Sequence, residues 1–183
     1  ETVESNLNIY QKIRGKDSLI SKTLFNLKEP KITSVKDNMT TFGESIVIYG
    51  ENFDLQNYTK LYVNDISSDI IYSFKDSLKF VVPNELTEQV LSLKIETQLQ
   101  EDTLSNSLNL ETPQIDFVKE EVYIGEQLII KGKRFNPLKE YGKIILNNEI
   151  EASIEYVYNS DSLKVKLPLG PYKEFEINSF KYV

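Results

Sequence analysis

The stretch GESIVIYGENF, residues 43 to 53, returns as GEQLIIKGKRF, residues 125 to 135. The match extends outward in both directions. PKITSVKDNMTTFGESIVIYGENF, from Pro30, aligns with PQIDFVKEEVYIGEQLIIKGKRF, from Pro113, with one residue deleted. KLYVND then matches KIILNN, and DSLKFVVP at 76 to 83 matches DSLKVKLP at 161 to 168. A fixed period of about eighty residues means two copies of one domain in this 183-residue chain, not one domain of twice the size. A partial third copy stands in front: SNLNIYQKIRGKDSLISKTLFNLKEPKITSV, residues 5 to 35, runs parallel to LSLKIETQLQEDTLSNSLNLETPQIDFV, residues 91 to 118. Residues 1–29 therefore read as the closing β-hairpin of a preceding domain, 30–112 as a full first repeat, and 113–183 as a second repeat whose last strand is missing or supplied elsewhere.

The repeated unit is built of strands. SIVIYG, KLYVND, SLKFVVP, LSLKIETQ, QLIIKG, GKIILNN and SLKVKLP are short, rich in β-branched and aromatic residues, and punctuated by Gly, Asn, Asp and Pro. No window carries helical periodicity for more than two turns, so the chain is all-β, with the spacing of a sandwich. Alternation assigns faces: Ile46 and Ile48 point opposite to Val47 and Tyr49, and Leu78, Phe80 and Val82 opposite to Lys79 and Val81. In the second copy Leu163, Val165 and Leu167 oppose Lys164 and Lys166. Gly43 and Gly125 precede a strand, and Gly50 and Gly132 follow it, where a turn calls for positive φ. Phe53 and Phe135, each three residues after the second glycine, are spaced to fold back as plugs at the sandwich end.

The ordered pattern P-x-I-x-x-V, G-E-x-[IL]-x-I-x-G-x-x-F, a strand ending in Asn-Asp or Asn-Asn, then D-S-L-x-[FV]-x-[VL]-P resembles the IPT/TIG family of immunoglobulin-like domains, of the E-set type. The resemblance implies tandem immunoglobulin-like β-sandwiches, and the family hosts many roles, so function does not follow from the fold. Relatives that touch DNA are basic at their contact loops, and those in receptor ectodomains sit beside disulfide-rich modules. Tandem copies in bacterial surface proteins, of the Bacteroidota kind, are the better likeness for a Lys-, Asn- and Ile-rich chain without cysteine.

Composition narrows the chemistry further. A formal charge of −7 leaves no basic stripe to neutralise phosphates, which excludes nucleic acid as a natural partner. No run of about 18 apolar residues is present to serve as a transmembrane helix. With no cysteine and no histidine, disulfides, thiolate sites, most zinc sites and the Ser-His and Cys-His nucleophile pairs are all out of reach. Carboxylate pairs remain, at Glu101-Asp102, Glu120-Glu121 and Asp65 with Asp69, but 28 acidic residues make such proximity ordinary, and no spacing matches a calcium loop. The chain is thus expected to be no enzyme and to need no metal or cofactor.

Two kinds of surface site stand out. Sugar faces stack on exposed aromatic rings with amides and carboxylates alongside, and Tyr58 and Tyr62 with Asn57 and Asn64 form such a group, as do Tyr156 and Tyr158 with Asn159. The bland alternative is that alternating tyrosines simply pack on the sheet. The triplet Asp-Ser/Thr-Leu occurs four times, with hydroxyls at Ser18, Ser77, Thr103 and Ser162, and resembles the O-glycosylation sequon of Bacteroidota envelope proteins. Turn chemistry explains the same triplets. The expectation is a non-enzymatic extracellular module of a bacterial cell surface, outer-membrane associated, with flanking Ig-like domains and a protein or glycan partner, for adhesion or glycan capture. A structural spacer or docking subunit of an outer-membrane assembly, and an accessory segment of a carbohydrate-active enzyme, are the alternatives.

Overall fold

The computed structural model describes residues 3–13, 16–53, 58–97, 100–118, 127–146, 150–168 and 180–182. Strands β1 (Val3–Ile13) and β2 (Lys16–Leu27) form a two-stranded antiparallel sheet of their own, with Ile9, Tyr10 and Leu19 exposed. The first repeat follows at once. Its strands are β3 (Lys31–Val35), β4 (Met39–Thr40), β5 (Ser45–Glu51), β6 (Lys60–Val63), β7 (Ile66–Ser68), β8 (Ile70–Ser73), β9 (Ser77–Val81), β10 (Val90–Glu96) and β11 (Glu101–Leu110).

They make two sheets, in the orders β3-β5-β9-β8 and β4-β11-β10-β6-β7. Their inner faces close on one core that includes Ile48, Leu61, Leu78, Phe80, Leu93 and Ile95. Each such side chain contributes roughly 1.5–3 kcal/mol by leaving water. The alternation read from sequence holds residue by residue: Ile46 and Ile48 are buried beside an exposed Tyr49, and Leu78 and Phe80 beside a half-exposed Lys79.

In the second repeat, β12 (Gln114–Val118), β13 (Gln127–Lys133), β14 (Ile144–Leu146), β15 (Ile150–Tyr158), β16 (Ser162–Lys166) and β17 (Phe180–Tyr182) run in the order β12-β13-β16-β15-β14-β17. A separate core gathers Leu128, Ile130, Phe135, Leu163 and Val165. Strand β15 does the work of β7 and β8 together, pairing with β14 at its start and with β16 at its end. In the first repeat the Ser68 hydroxyl donates to the Val81 carbonyl at 2.6 Å, and the strand breaks at Asp69. Ala152, at the same register position, has no such donor, and its strand runs through.

Glycines 50 and 132 correct one expectation. Both lie inside strands, and neither has positive φ. The constraint is space. A Cβ on Gly50 would fall on the Lys31 carbonyl and the Phe53 ring; on Gly132 it would meet the Gln114 carbonyl and the Phe135 ring. Gly43 alone follows the turn argument, at φ 71°, and Gly125 lies outside the described residues. Both phenylalanines are plugs, 4% and 0% exposed, so each glycine is the socket for its own ring.

Around this socket the repeated motifs interlock. The amide of Gly50 donates to Asp76 and that of Phe53 to Lys75; Gly132 donates to Asp161 and Phe135 to Ser160 in the same way. Between glycine and ring stands the residue with positive φ, Asn52 at 58° and Arg134 at 61°. Each reaches the carbonyl just before the domain's first proline. Asn52 Nδ2 donates to Glu29 at 2.9 Å, and Arg134 Nε to Thr112 at 3.0 Å. Arg134 also pairs with Glu111 at 3.0 Å, and Asn136 Nδ2 donates across the junction to the Asn84 carbonyl at 2.6 Å. The linker between the repeats is therefore tied down by the second repeat.

Candidate functional site

Solvent-facing aromatic pairs are the feature that a packed core leaves unexplained. On β15 a bulge lies between Ile154 and Tyr156, so that Glu155 is the extra residue and Tyr156 stands opposite Lys164 of β16. Tyr158 stands opposite Ser162 on the same outward face. The two rings lie 4.8 Å apart with 58° between their planes, and they are 57% and 43% exposed. Glu155, Tyr156, Tyr158 and Lys164 line one shallow open concavity of about 390 Å³. The Glu155 carboxylate accepts from Gln127 Nε2 at 2.7 Å and sits 3.8 Å from the Lys164 ammonium, which holds the polar rim in place. Asn159 follows with φ 56°, at the turn into the next strand.

The other tyrosine group has a different setting. Tyr58 is 54% exposed, in the turn before β6, and makes no ring contact with Tyr62 among the described residues. Tyr62, on β6, is capped by the Lys94 ammonium 4.9 Å from its ring centre. Its hydroxyl reaches Glu96, which also holds Lys94 at 2.9 Å. That hydrogen bond keeps the Glu96 carboxyl below the ordinary glutamate value and Lys94 above the ordinary lysine value. Asn64, at φ 46°, spends its amide inside the fold: Oδ1 accepts from Ser92 N at 2.7 Å while Nδ2 donates to Glu88 and to the Val90 carbonyl. Asn57 lies outside the described residues.

The four Asp-Ser/Thr-Leu triplets divide in two. Ser77 and Ser162 open strands after turns, and each hydroxyl donates to the preceding aspartate at 3.0 Å. Ser18 and Thr103 lie within strands β2 and β11, not at a turn. Asp102 there accepts the Ile32 amide at 2.7 Å. Of the carboxylate pairs, Glu101 faces Lys94 at 3.8 Å and Glu120-Glu121 lies outside the described residues. No three carboxylates group as a metal would need among the described residues. No helix of the described structure is long and apolar enough to cross a membrane.

The first repeat carries an aromatic pair that the simple alternation of its strand hides. Tyr72 and Phe74 lie 5.1 Å apart with 36° between planes, and Phe74 is 58% exposed. Tyr72 stands opposite Lys79 after a bulge at Ile71, the counterpart of Glu155. Aligning the two sequences backward from Asp-Ser-Leu, YSFK against YVYNS, reveals the pair.

Solved structures that this chain matches in part include a surface glycan-binding protein from Prevotella bryantii, 17% identical, TM-score 0.39, covering 78% of this chain and 37% of that one. An auxiliary nutrient binding protein from Bacteroides ovatus is 16% identical, TM-score 0.43, over 54% of this chain and 24% of that one. A Bacteroides thetaiotaomicron protein described as a phosphatase is 17% identical, TM-score 0.41, over 50% and 19%. The chain thus spans about a fifth to two fifths of the length of these three structures. No curated protein matches it. The family model for the IPT/TIG domain matches residues 30–112, the span from the first linker proline to the second linker. Residues 30–112 of this chain are an IPT/TIG domain, folded as an immunoglobulin-like β-sandwich.

Proposed function

We propose that the chain is a non-catalytic module of a bacterial cell surface that captures glycan on the outward aromatic face of its second repeat. The observation that carries this reading is the exposed Tyr156–Tyr158 pair with its rim of Glu155, Gln127 and Lys164. A pyranose presents C–H bonds on its face and hydroxyls at its edge. The ring faces offer the first a stacking surface, and the carboxylate, amide and ammonium offer the second donors and acceptors. The domain division fits this role: residues 1–29 close a preceding sandwich, and the tied linkers hold the face at a fixed attitude on an array, associated with an outer membrane.

Native affinity gels cast with xyloglucan, a mixed-linkage β-glucan or galactomannan test the reading. At least one polysaccharide is expected to retard the chain, and Tyr156→Ala and Tyr158→Ala are each expected to weaken that retention about tenfold, about 1.4 kcal/mol. Both rings are exposed, so unfolding should move by no more than about 0.5 kcal/mol. Unchanged retention in the double variant overturns the reading. Glycosylation of Ser18, Ser77, Thr103 and Ser162 is a separate proposal, and peptide mapping of the protein from its native envelope that finds all four hydroxyls bare overturns it.

A further inference from the structure

We infer that the chain carries a second sugar-binding platform, Tyr72 and Phe74 of the first repeat, equivalent to the pair in the second, so that it grips one polysaccharide at two places. This rests on the reading of Tyr156 and Tyr158 as a glycan face, and it adds a site and a ligand class: a polymer with repeated flat sugar faces.

The two faces were free to diverge. They point to solvent, where core packing imposes nothing, and three of their positions have changed from apolar or aromatic to charged. Tyr49 is matched by Lys131, Ile71 by Glu155, and Val81 by Lys166. Against this drift the aromatic pair persists. Each pair follows a bulge in its strand, each first ring stands opposite a lysine, Lys79 or Lys164, and each pair keeps its rings about one ring width apart, at 5.1 and 4.8 Å. The serine opposite the second ring persists as well, but its bond to the preceding aspartate accounts for it. Nothing in either core requires the rings or the lysines, so what both faces have kept is the stacking surface and its cation.

The differences set the character of each platform. The first pair is flatter, 36° against 58°, and its surroundings include Ile71 and Tyr49 where the second has Glu155 and Lys131. A flat, apolar platform takes any sugar face, while the second, with its hydrogen-bonding rim, discriminates. Two sites on one chain engage a polymer with a raised effective concentration, and a short oligosaccharide without it.

The experiment compares the whole chain with Tyr72→Ala/Phe74→Ala, Tyr156→Ala/Tyr158→Ala and the fourfold variant, all checked for unchanged unfolding. Titration calorimetry uses an oligosaccharide cut from whichever of the three polysaccharides retards the chain, and affinity gels use the polymer itself. The wild-type chain is expected to bind two oligosaccharides, each double variant one, and the fourfold variant none. Either double variant should lose about tenfold or more in retention on the polymer. If Tyr72→Ala/Phe74→Ala keeps stoichiometry and retention while Tyr156→Ala/Tyr158→Ala loses both, the second platform is refuted and the glycan reading stands. Sedimentation of the same proteins covers the rival occupant: self-association lost in Tyr72→Ala/Phe74→Ala with sugar stoichiometry unmoved makes that face a protein contact and overturns the proposal. Absence of retention on all three polymers, or retention indifferent to both double variants, overturns both readings together.

Discussion

The two repeats share the buried frame that seats each plug and differ in charge at three positions of the outward sheet. Gly50 and Gly132, Phe53 and Phe135, and Asp76 and Asp161 occupy the same places and make the same backbone hydrogen bonds. On the outward sheet the first repeat is apolar at Tyr49, Ile71 and Val81, and the second is charged at Lys131, Glu155 and Lys166. A shared frame with divergent faces means that packing chose the frame and that contact with other molecules chose the faces. The aromatic pair, kept on both, belongs with the second kind of choice.

The strongest test of the frame is to empty its sockets. Phe53→Ala and Phe135→Ala should each destabilise their own repeat by about 3–5 kcal/mol, seen in chemical denaturation as the loss of one transition of two. Markedly unequal losses would break the equivalence of the repeats. Gly132→Ala drives a methyl into a ring and a strand carbonyl, for which about 3 kcal/mol is expected. Adding Phe135→Ala to it should give a loss smaller than the sum of the two, because the ring half of the clash is gone. A fully additive loss would mean that the carbonyl contact alone sets the constraint.

A smaller effect sharpens the linker comparison. Arg134→Ala and Asn52→Ala each remove a hydrogen bond to the carbonyl before a proline, at about 1 kcal/mol. Arg134→Ala also breaks its pair with Glu111, so amide exchange near Thr112 should rise more than near Glu29 for Asn52→Ala. Equal exchange at both junctions would show the ion pair to be without effect.

The smallest expected effect follows pH, and it belongs to the first repeat. Glu96 is held below its ordinary value by its bond to Lys94. Its folded pKa is depressed, so its contribution is present above the unfolded glutamate value and is lost as pH falls through the lower folded value. Lys94 is raised, so its share is complete below the unfolded lysine value and fades only as pH rises past the folded one. Glu96→Gln should flatten the acid limb of the first transition slightly and leave the second alone. Lys181, the register counterpart of Lys94, is followed two positions later by Val183, whose side chain does not titrate. Both limbs flattening alike would remove the pair from the account.

Much of the frame was legible in the residues. The faces of SIVIYG and SLKFVVP followed from a period of two, which a strand obeys whatever surrounds it. The plugging role of Phe53 and Phe135 followed from spacing. The reason for Gly50 and Gly132 did not, because the atoms that exclude a Cβ come from another strand and from a folded-back ring. Tyr62 and Asn64 read as ready for a ligand, yet their commitments to Lys94, Glu96 and Ser92 are made across strands that no local pattern names. Tyr72 and Phe74 were hidden because a bulge shifts alternation by one residue and breaks the simple rhythm of the strand.

By itself the sequence determined that this protein is a tandem of β-sandwiches, since a repeat and an alternation are properties of residue order and survive any placement of the parts. Which side chains remain free to meet a partner was decided only in three dimensions. Exposure depends on what arrives from the neighbouring strand, and only the folded sheets show Tyr156, Tyr158 and Phe74 left open, with Tyr72 half-buried, beside their lysines.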